Sequence, residues 1–372
     1  MWGKTSSALA VLLVGSAASP ALMQNLVGAD ICRAVEVLPF MVRLNNGVEV
    51  PRIGFGTAGL GDTSEHAVAV ALEAGYRSFD SAQAWEWYRE DAVGRALRRA
   101  TGASSCDATE QHGGETCNPD ANPAPTLSRE DLFVTTKIHP RDFAPDRLRE
   151  LFDISRSNLN GVDLVLLHSP FCWPGVCPEN PTPWQEAWRT LEELYAEGKV
   201  RAIGVSNFSD HLLRELLAMA TVVPAIVQNW MDPFHQDREA RSICAEKGIA
   251  YTAYSTLGGQ WPYRSNPPSP NPVSTNPVLG AIAEAHGTTP QAVAYSWAMQ
   301  SGALILPRSS NPQRIRDNWD IFFAVDAGEC GEGRSTEEPT SGNNAGARQE
   351  KVALFLSQED MEAIAALDGT LG

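Results

Sequence analysis

Short runs rich in aliphatic and β-branched residues recur along this chain, at Ile53–Thr57, Arg77–Ala82, Leu132–Lys137, Leu164–Ser169, Arg201–Asn207, Ala225–Trp230, Ile249–Ser255 and Ala303–Ser309. Most do not alternate in polarity, which is how strands of a helix-covered parallel sheet read. Between them lie stretches of helical period: Glu65–Glu73, Asp91–Arg99, Trp184–Glu197, Asp210–Met219, Asp237–Glu246 and Pro290–Gln300. Thr182-Pro183 supplies a start signal for one of these helices and Gly198 a stop. Eight strand–helix units predict an α/β chain folded as a (β/α)8 TIM barrel. The rival is an open doubly wound sheet. Its dinucleotide fingerprint counts only where it follows a strand and opens a helix. The glycines of Gly54–Gly59 read instead as a tight strand exit. Ahead of the barrel, two alternating runs flank Asn46-Gly47 within residues 41 to 50 and predict an N-terminal β-hairpin.

Two stretches break the pattern. Residues 101 to 126 and 326 to 350 are polar and rich in Gly, Pro and Asn, and read as surface loops inserted between barrel units. A last helix is expected over Gln358–Leu367. The N-terminus has the layout of an export signal: Lys4, then the apolar run Ala8–Val14, then small residues as far as Ala21. The expected organisation is a signal or targeting peptide over 1–21, a linker over 22–40 and the barrel over 41–372. That predicts a secreted protein or one of the endomembrane lumen. Bipartite organelle targeting and a cytoplasmic location are the alternatives. The apolar run is too short to span a bilayer, and no other segment could cross one.

Composition narrows the partners. Of 372 residues, 43% are hydrophobic and 20% charged, as suits a chain with a sizeable core. A net charge of −16 argues against nucleic acid, which needs cations to displace counterions from phosphates. A small phosphate-bearing ligand needs only a few local cations. Of seven cysteines, Cys106 with Cys117 and Cys172 with Cys177 are close enough for local disulfides, and Cys32 with Cys330 could form a long-range one. Cys244, in a helical run, is expected as a buried free thiol. No histidine sits at ligand spacing beside either close pair, so no metal site is expected.

Chemistry concentrates at the strand ends. In order these carry Thr57, Asp80, Lys137, His168, Ser206-Asn207, Gln228, Tyr254-Ser255 and Arg308-Ser309. That rim is where α/β barrels build active sites.

Three motifs then carry a resemblance. Gly75-Tyr-Arg-Ser-Phe-Asp80-Ser-Ala, Gly198-Lys-Val-Arg-Ala-Ile-Gly-Val-Ser206-Asn-Phe and Ile305-Leu-Pro-Arg308-Ser, followed by Arg314-Ile-Arg-Asp-Asn318, are similar to the three aldo-keto reductase signatures. The resemblance runs from about Met41 to the C-terminus, outside the two inserts. It implies an NADPH-dependent oxidoreductase that reduces aldehydes or ketones to alcohols, acting on CH–OH groups with NADP as acceptor.

The family's catalytic residues are Asp, Tyr, Lys and His. Asp80, Lys137 and His168 match. The family's tyrosine position holds Trp85, and the stretch from Asp80 to Val93-Gly94 is two residues longer than the pattern. The expanded loop makes Tyr88 the expected proton donor, because neither Trp85 nor Trp87 has a hydroxyl. A tyrosine acid needs help at neutral pH, since its ordinary pKa is ~10. A neighbouring Lys137 ammonium lowers it, Asp80 holds that lysine, and His168 orients the carbonyl oxygen. Taken singly, Asp80–Lys137 also reads as a structural ion pair and His168 as a core histidine.

The resemblance also assigns cofactor contacts. Ser206, Asn207 and Gln228 would bond the nicotinamide carboxamide, and Tyr254 would stack on the ring. Thr57 and Asp80 would line the same end of the site, and Ser255, Leu257 and Gly259 the pyrophosphate path. Arg308, Ser309 and Arg314 would hold the 2′-phosphate of NADPH, with Asn318 at the adenine. Arg308 replaces the family's usual lysine and keeps the charge. Trp87, His168 and Trp173 are the expected substrate contacts. Ser169 and Ala58 stand where relatives carry Trp, and the tail after Asp368 is short, which suggests an open pocket. A small carbonyl compound is the expected partner and a monomer the expected state. Two other classes stay open: an NADPH-binding sensor or regulatory subunit that has lost turnover, and a secreted interaction protein working through its cysteine-bearing inserts.

Overall fold

The computed structural model describes residues 40–103, 127–172, 176–177, 181–264, 270–323 and 354–371. The predicted signal segment, Trp173, Cys32, Cys106, Cys117, Cys330 and most of both predicted inserts lie outside these residues. Among the described residues no helix is long and apolar enough to cross a membrane.

The hairpin pairs β1 (Met41–Arg43) with β2 (Glu49–Pro51), Arg43 opposite Glu49. Asn46-Gly47 lies in the connecting turn, with Gly47 at φ 85°. Eight parallel strands follow: β3 (Phe55–Gly56), β4 (Ser78–Asp80), β5 (Phe133–Ile138), β6 (Leu164–Leu167), β7 (Ala202–Ser206), β8 (Ile226–Trp230), β9 (Ala250–Tyr254) and β10 (Leu304–Ile305). Each pairs with the next in sequence. The sheet then closes on itself. Gly54 N donates to Ile305 O (2.9 Å), Ile305 N to Arg52 O (2.9 Å) and Gly56 N to Pro307 O (3.0 Å). This is the (β/α)8 barrel that the alternation predicts, not an open sheet.

The glycines ahead of the first helix serve this closure. A Cβ on Gly54 would stand 2.9 Å from Leu306 Cδ2 and 3.0 Å from Ser78 Oγ. Only a bare backbone fits between two barrel strands there.

Helices Ser64–Ala74, Glu90–Ala100, Trp184–Ala196, Asp210–Met219, Arg238–Lys247 and Pro290–Gln300 fall within two residues of the predicted bounds. Pro145–Asn158, Pro277–Ala285 and Pro312–Phe323 carry no prediction. In the first of these, Leu148, Phe152 and Ser155 face inward at helical spacing amid charged residues. Its apolar stripe is thin, so the polar positions dominate the pattern.

The barrel is filled. Leu44 and Val50 of the hairpin pack with Phe133, Leu164, Leu166, Ala202, Ala225, Ile226 and Leu304 near the strand starts. The hairpin therefore plugs the N-terminal mouth, and a hollow of about 20 Å³ remains inside. The opposite mouth, where the strands end, is left for the site.

Candidate active site

Strand β4 ends on Asp80 and β5 carries Lys137 near its end, one strand over in the sheet. Lys137 Nζ donates to Asp80 Oδ1 at 2.5 Å and to Ser81 O at 3.0 Å. The second oxygen, Asp80 Oδ2, accepts from Gln228 Nε2 at 2.8 Å. Lys137 is only 1% exposed and Asp80 5%. Burial disfavours the ammonium, but the Asp80 carboxylate and Tyr88 outweigh it and hold Lys137 above its ordinary value. The lysine therefore keeps its charge inside the barrel mouth.

Tyr88 comes to that charge. The loop after β4 folds into a compact turn in which Trp87 N and Tyr88 N both donate to Ala84 O (2.8 and 2.9 Å). Trp85 and Trp87 point outward, 73% and 65% exposed, while Tyr88 points in. Its ring centroid is 5.1 Å from Lys137 Nζ and 5.9 Å from the His168 ring, met edge to face. Burial raises the Tyr88 hydroxyl above its ordinary value, and Lys137 pulls it back part of the way. The four residues Asp80, Tyr88, Lys137 and His168 thus converge, although the tyrosine comes from a loop that departs from the family pattern.

His168 follows β6. Burial, then the Lys137 charge, push its pKa well below the ordinary value. At neutral pH it is a neutral imidazole, able to donate one hydrogen bond without carrying charge. The next shell holds groups that the motifs do not name. His139 is 2% exposed, and its ring meets that of His168 edge to face at 6.3 Å. Burial and Arg141 lower its pKa to about 4. Glu90 is buried and accepts from Thr136 Oγ1 (2.5 Å) and Ser155 Oγ (2.7 Å), and burial raises its pKa. His139 stands two residues past Lys137, so the strand-end logic that found Lys137 reaches it as well.

The remaining predicted residues divide into bonded and open. Thr57 Oγ1 donates to Asp80 O at 2.8 Å, tying β3 to β4. Asn207 adopts φ 61° and donates from Nδ2 to His168 O (2.7 Å) and Ser206 Oγ (3.1 Å). Tyr254 donates from its hydroxyl to Asn207 Oδ1 at 2.6 Å. The amide oxygen of Gln228 and the hydroxyl hydrogen of Ser206 are not used in these bonds. Ser255, at φ 53°, accepts from Gln260 Nε2 at 3.0 Å, and Leu257 O accepts from Asn271 Nδ2 at 2.6 Å. Gly259 is exposed beside them. At the exit of β10, Arg308 and Arg314 are exposed and form no ion pair among the described residues. Ser309 Oγ accepts from Asn311 N at 3.0 Å. Asn318 lies on the following helix, partly buried.

Two further tryptophans, Trp261 and Trp230, differ in their surroundings. Trp261 is buried and donates to Asp232 Oδ2 at 2.9 Å, so it holds structure. Trp230 shares that acceptor (2.8 Å), stacks on His235 at 4.0 Å and carries Arg264 over its face at 5.4 Å. Cys172 and Cys177 form a disulfide just past His168, and Cys244 is a buried free thiol whose pKa burial raises to about 12. His139, remote in sequence, brings a ring nitrogen within 4.8 Å of both Cys172 and Cys177 sulfurs. The expectation that no histidine stands by that pair held for sequence spacing, not for space. Yet His139 Nδ1 accepts from Arg141 N at 3.2 Å and the sulfurs are bonded to each other, which does not describe a metal site.

A hollow of about 950 Å³ lies at the strand starts, lined by Arg129, Asp153, Arg156, Asp163 and Arg201. Arg129 and Arg201 both pair with Asp163 (2.7 and 2.9 Å), so those three charges satisfy one another. It is a solvated groove at the opposite end from the convergent residues.

Comparison with known proteins agrees with this fold. The model of the Aldo/keto reductase family matches residues 52–335. A 9,11-endoperoxide prostaglandin H2 reductase of Trypanosoma cruzi is 33% identical over 285 residues, 76% of this chain and 85% of that protein. A glycerol 2-dehydrogenase (NADP(+)) of Hypocrea jecorina is 33% identical over 301 residues, 75% of this chain and 86% of that protein. Among solved structures, an aldo-keto reductase of Bombyx mori in complex with NADP superposes with a TM-score of 0.68 at 25% identity, covering 88% of this chain and 92% of that one. With a closed barrel, a rim of converging polar residues and a family match over most of its length, this chain belongs to the aldo/keto reductase family of oxidoreductases.

Proposed function

We propose that this protein reduces aldehyde or ketone carbonyls to alcohols with NADPH, with Tyr88 as the proton donor. One observation carries the reading. Despite the expanded loop, the Tyr88 ring lies 5.1 Å from Lys137 Nζ and 5.9 Å from the His168 ring. A barrel that had lost turnover would need no tyrosine there.

The residues present suit the cofactor. A carboxamide offers donors and an acceptor, and Gln228 keeps its amide oxygen while Ser206 keeps its hydroxyl hydrogen. Arg308 and Arg314 flank Ser309 on the exposed rim, where two guanidinium groups and a hydroxyl suit a phosphate dianion. When bound, the dihydronicotinamide supplies the hydride. The protein does the rest. Tyr88 hands its proton to the carbonyl oxygen as that oxygen gains negative charge. Lys137 stabilises the tyrosinate left behind, and Asp80 keeps Lys137 charged and aimed. Neutral His168 donates a hydrogen bond that fixes the carbonyl oxygen.

The test is the loss of NADPH absorbance with a panel of aldehydes, for wild type and Tyr88→Phe. The variant is expected to lose ~10²- to 10⁴-fold in kcat and to keep NADPH affinity. Equal rates would remove Tyr88 from the mechanism. Tight NADPH binding without turnover in wild type would favour the sensor reading.

A further inference from the structure

The expanded loop poses a problem that the catalytic residues do not solve. A longer loop samples more conformations, so the position of Tyr88 must be imposed from outside the turn. On one side Gly59 N donates to Trp87 O at 2.6 Å. On the other side stands a forked ion pair. Arg141 Nη1 donates to Glu86 Oε1 at 2.5 Å and Nη2 to Glu86 Oε2 at 3.1 Å. Glu86 lies two residues before Tyr88. Arg141 lies four residues after Lys137, at the exit of the same strand.

Arg141 is itself fixed. Its side chain is 18% exposed, its Nε donates to Asp142 Oδ2 at 3.3 Å, and its backbone N donates to His139 Nδ1 at 3.2 Å. Exposed ion pairs between flexible side chains contribute little. This pair is only partly exposed, 18% for the arginine side chain and 33% for the glutamate, but its contact is two-pronged and joins two segments 55 residues apart.

We propose that Glu86 and Arg141 are a positioning pair for the reaction, clamping the Tyr88 loop to the strand exit that carries Lys137 and so setting the Tyr88–Lys137 distance. The inference rests on the reductase reading above. Neither residue touches the reacting atoms. Without the clamp, the loop can swing on its Gly59 contact and carry the hydroxyl away from the ammonium.

The experiment uses the full chain with Glu86→Gln, Arg141→Met, the double variant, Arg141→Lys and the swap Glu86→Arg/Arg141→Glu. Three quantities are read for each: kcat with the KM for NADPH, the melting temperature, and the alkaline ionisation of Tyr88. The last comes from tyrosine ultraviolet difference spectra with the Tyr88→Phe background subtracted. Each charge-removing single variant is expected to lose on the order of tenfold to a hundredfold in kcat with an unchanged KM for NADPH. The double variant should be no worse than the poorer single, and Arg141→Lys should recover part of the loss. The Tyr88 ionisation should move toward the ordinary tyrosine value, because the swing removes burial, the larger influence on it, along with the ammonium. Unchanged kcat per folded molecule, or a double variant that multiplies the single losses, overturns the proposal. A fall in melting temperature without a shift in Tyr88 ionisation assigns the pair to stability alone and overturns it too. If wild type does not turn over, the reductase reading fails, and the Tyr88 ionisation across the variants still decides the clamp.

Discussion

Two arcs of the barrel rim hold charge in opposite ways. At β4 and β5, Asp80 and Lys137 are buried against each other with each oxygen and the ammonium already bonded. At the exit of β10, Arg308 and Arg314 stand exposed with no ion-pair partner among the described residues. The first arc is finished by folding. In the proposed function the second is finished by the phosphate of the cofactor. The difference follows from what each must do. A group that stabilises developing charge works best fixed in place and sheltered from water. A group that captures a phosphate must stay hydrated and reachable until the phosphate arrives.

The strongest way to break this contrast is Lys137→Met. It leaves Asp80 as a buried carboxylate without its cation, which costs about 3–5 kcal/mol of stability. It also removes the support of the proton donor, so turnover should fall by ~10³-fold or more. Calorimetry and steady-state kinetics should both register the change; a variant that melts like wild type would show that the first arc is not an integrated unit. Arg308→Ala should do the opposite. Loss of one charge-assisted contact, about 1.5–3 kcal/mol, predicts a roughly 10- to 150-fold weaker NADPH Kd with an unchanged melting temperature. NADH binding should hardly move, because the proposed contact is to the 2′-phosphate. Comparable losses for both cofactors would place Arg308 elsewhere.

The buried histidines sharpen the comparison through pH. His139 and His168 both have folded pKa values below the ordinary histidine value, His139 at about 4. The unfolded chain therefore binds their protons first as pH falls. Their contribution to stability is complete above pH ~6.5 and is lost progressively as pH drops toward 4, by up to about 3 kcal/mol for His139. Melting temperatures measured from pH 7.5 to 4 should fall in that window, and His139→Asn should flatten the fall. A profile unaffected by His139→Asn would mean the imidazole titrates normally. The smallest expected effect belongs to barrel closure: Gly54→Ala should cost about 1–3 kcal/mol through the close approach of Leu306 and Ser78, with NADPH affinity unchanged.

Much of this was legible before any fold was known, for a local reason. A strand covered on both faces must be apolar along its length, and its last residue must leave the core. Runs such as Leu164–Leu167 ending at His168 therefore announce both a strand and a rim position. Asp80, Lys137 and Gln228 follow the same rule. What the pattern could not show is what meets across the rim. Tyr88 is one of three aromatics in four residues, Trp85, Trp87 and Tyr88, and no periodicity tells which turns inward. The backbone turn on Ala84 O settles that, and Glu86 with Arg141 holds it from 55 residues away. His139 illustrates the same gap, distant in sequence from Cys172 and Cys177 and beside them in space.

The sequence by itself determined the strand–helix alternation, the barrel it implies and the family's three motifs, because burial and backbone geometry write those into neighbouring residues. Only the tertiary structure decided that a displaced tyrosine comes to a buried ammonium. That meeting depends on loop conformation and on contacts between distant strand exits, which short-range spacing does not encode.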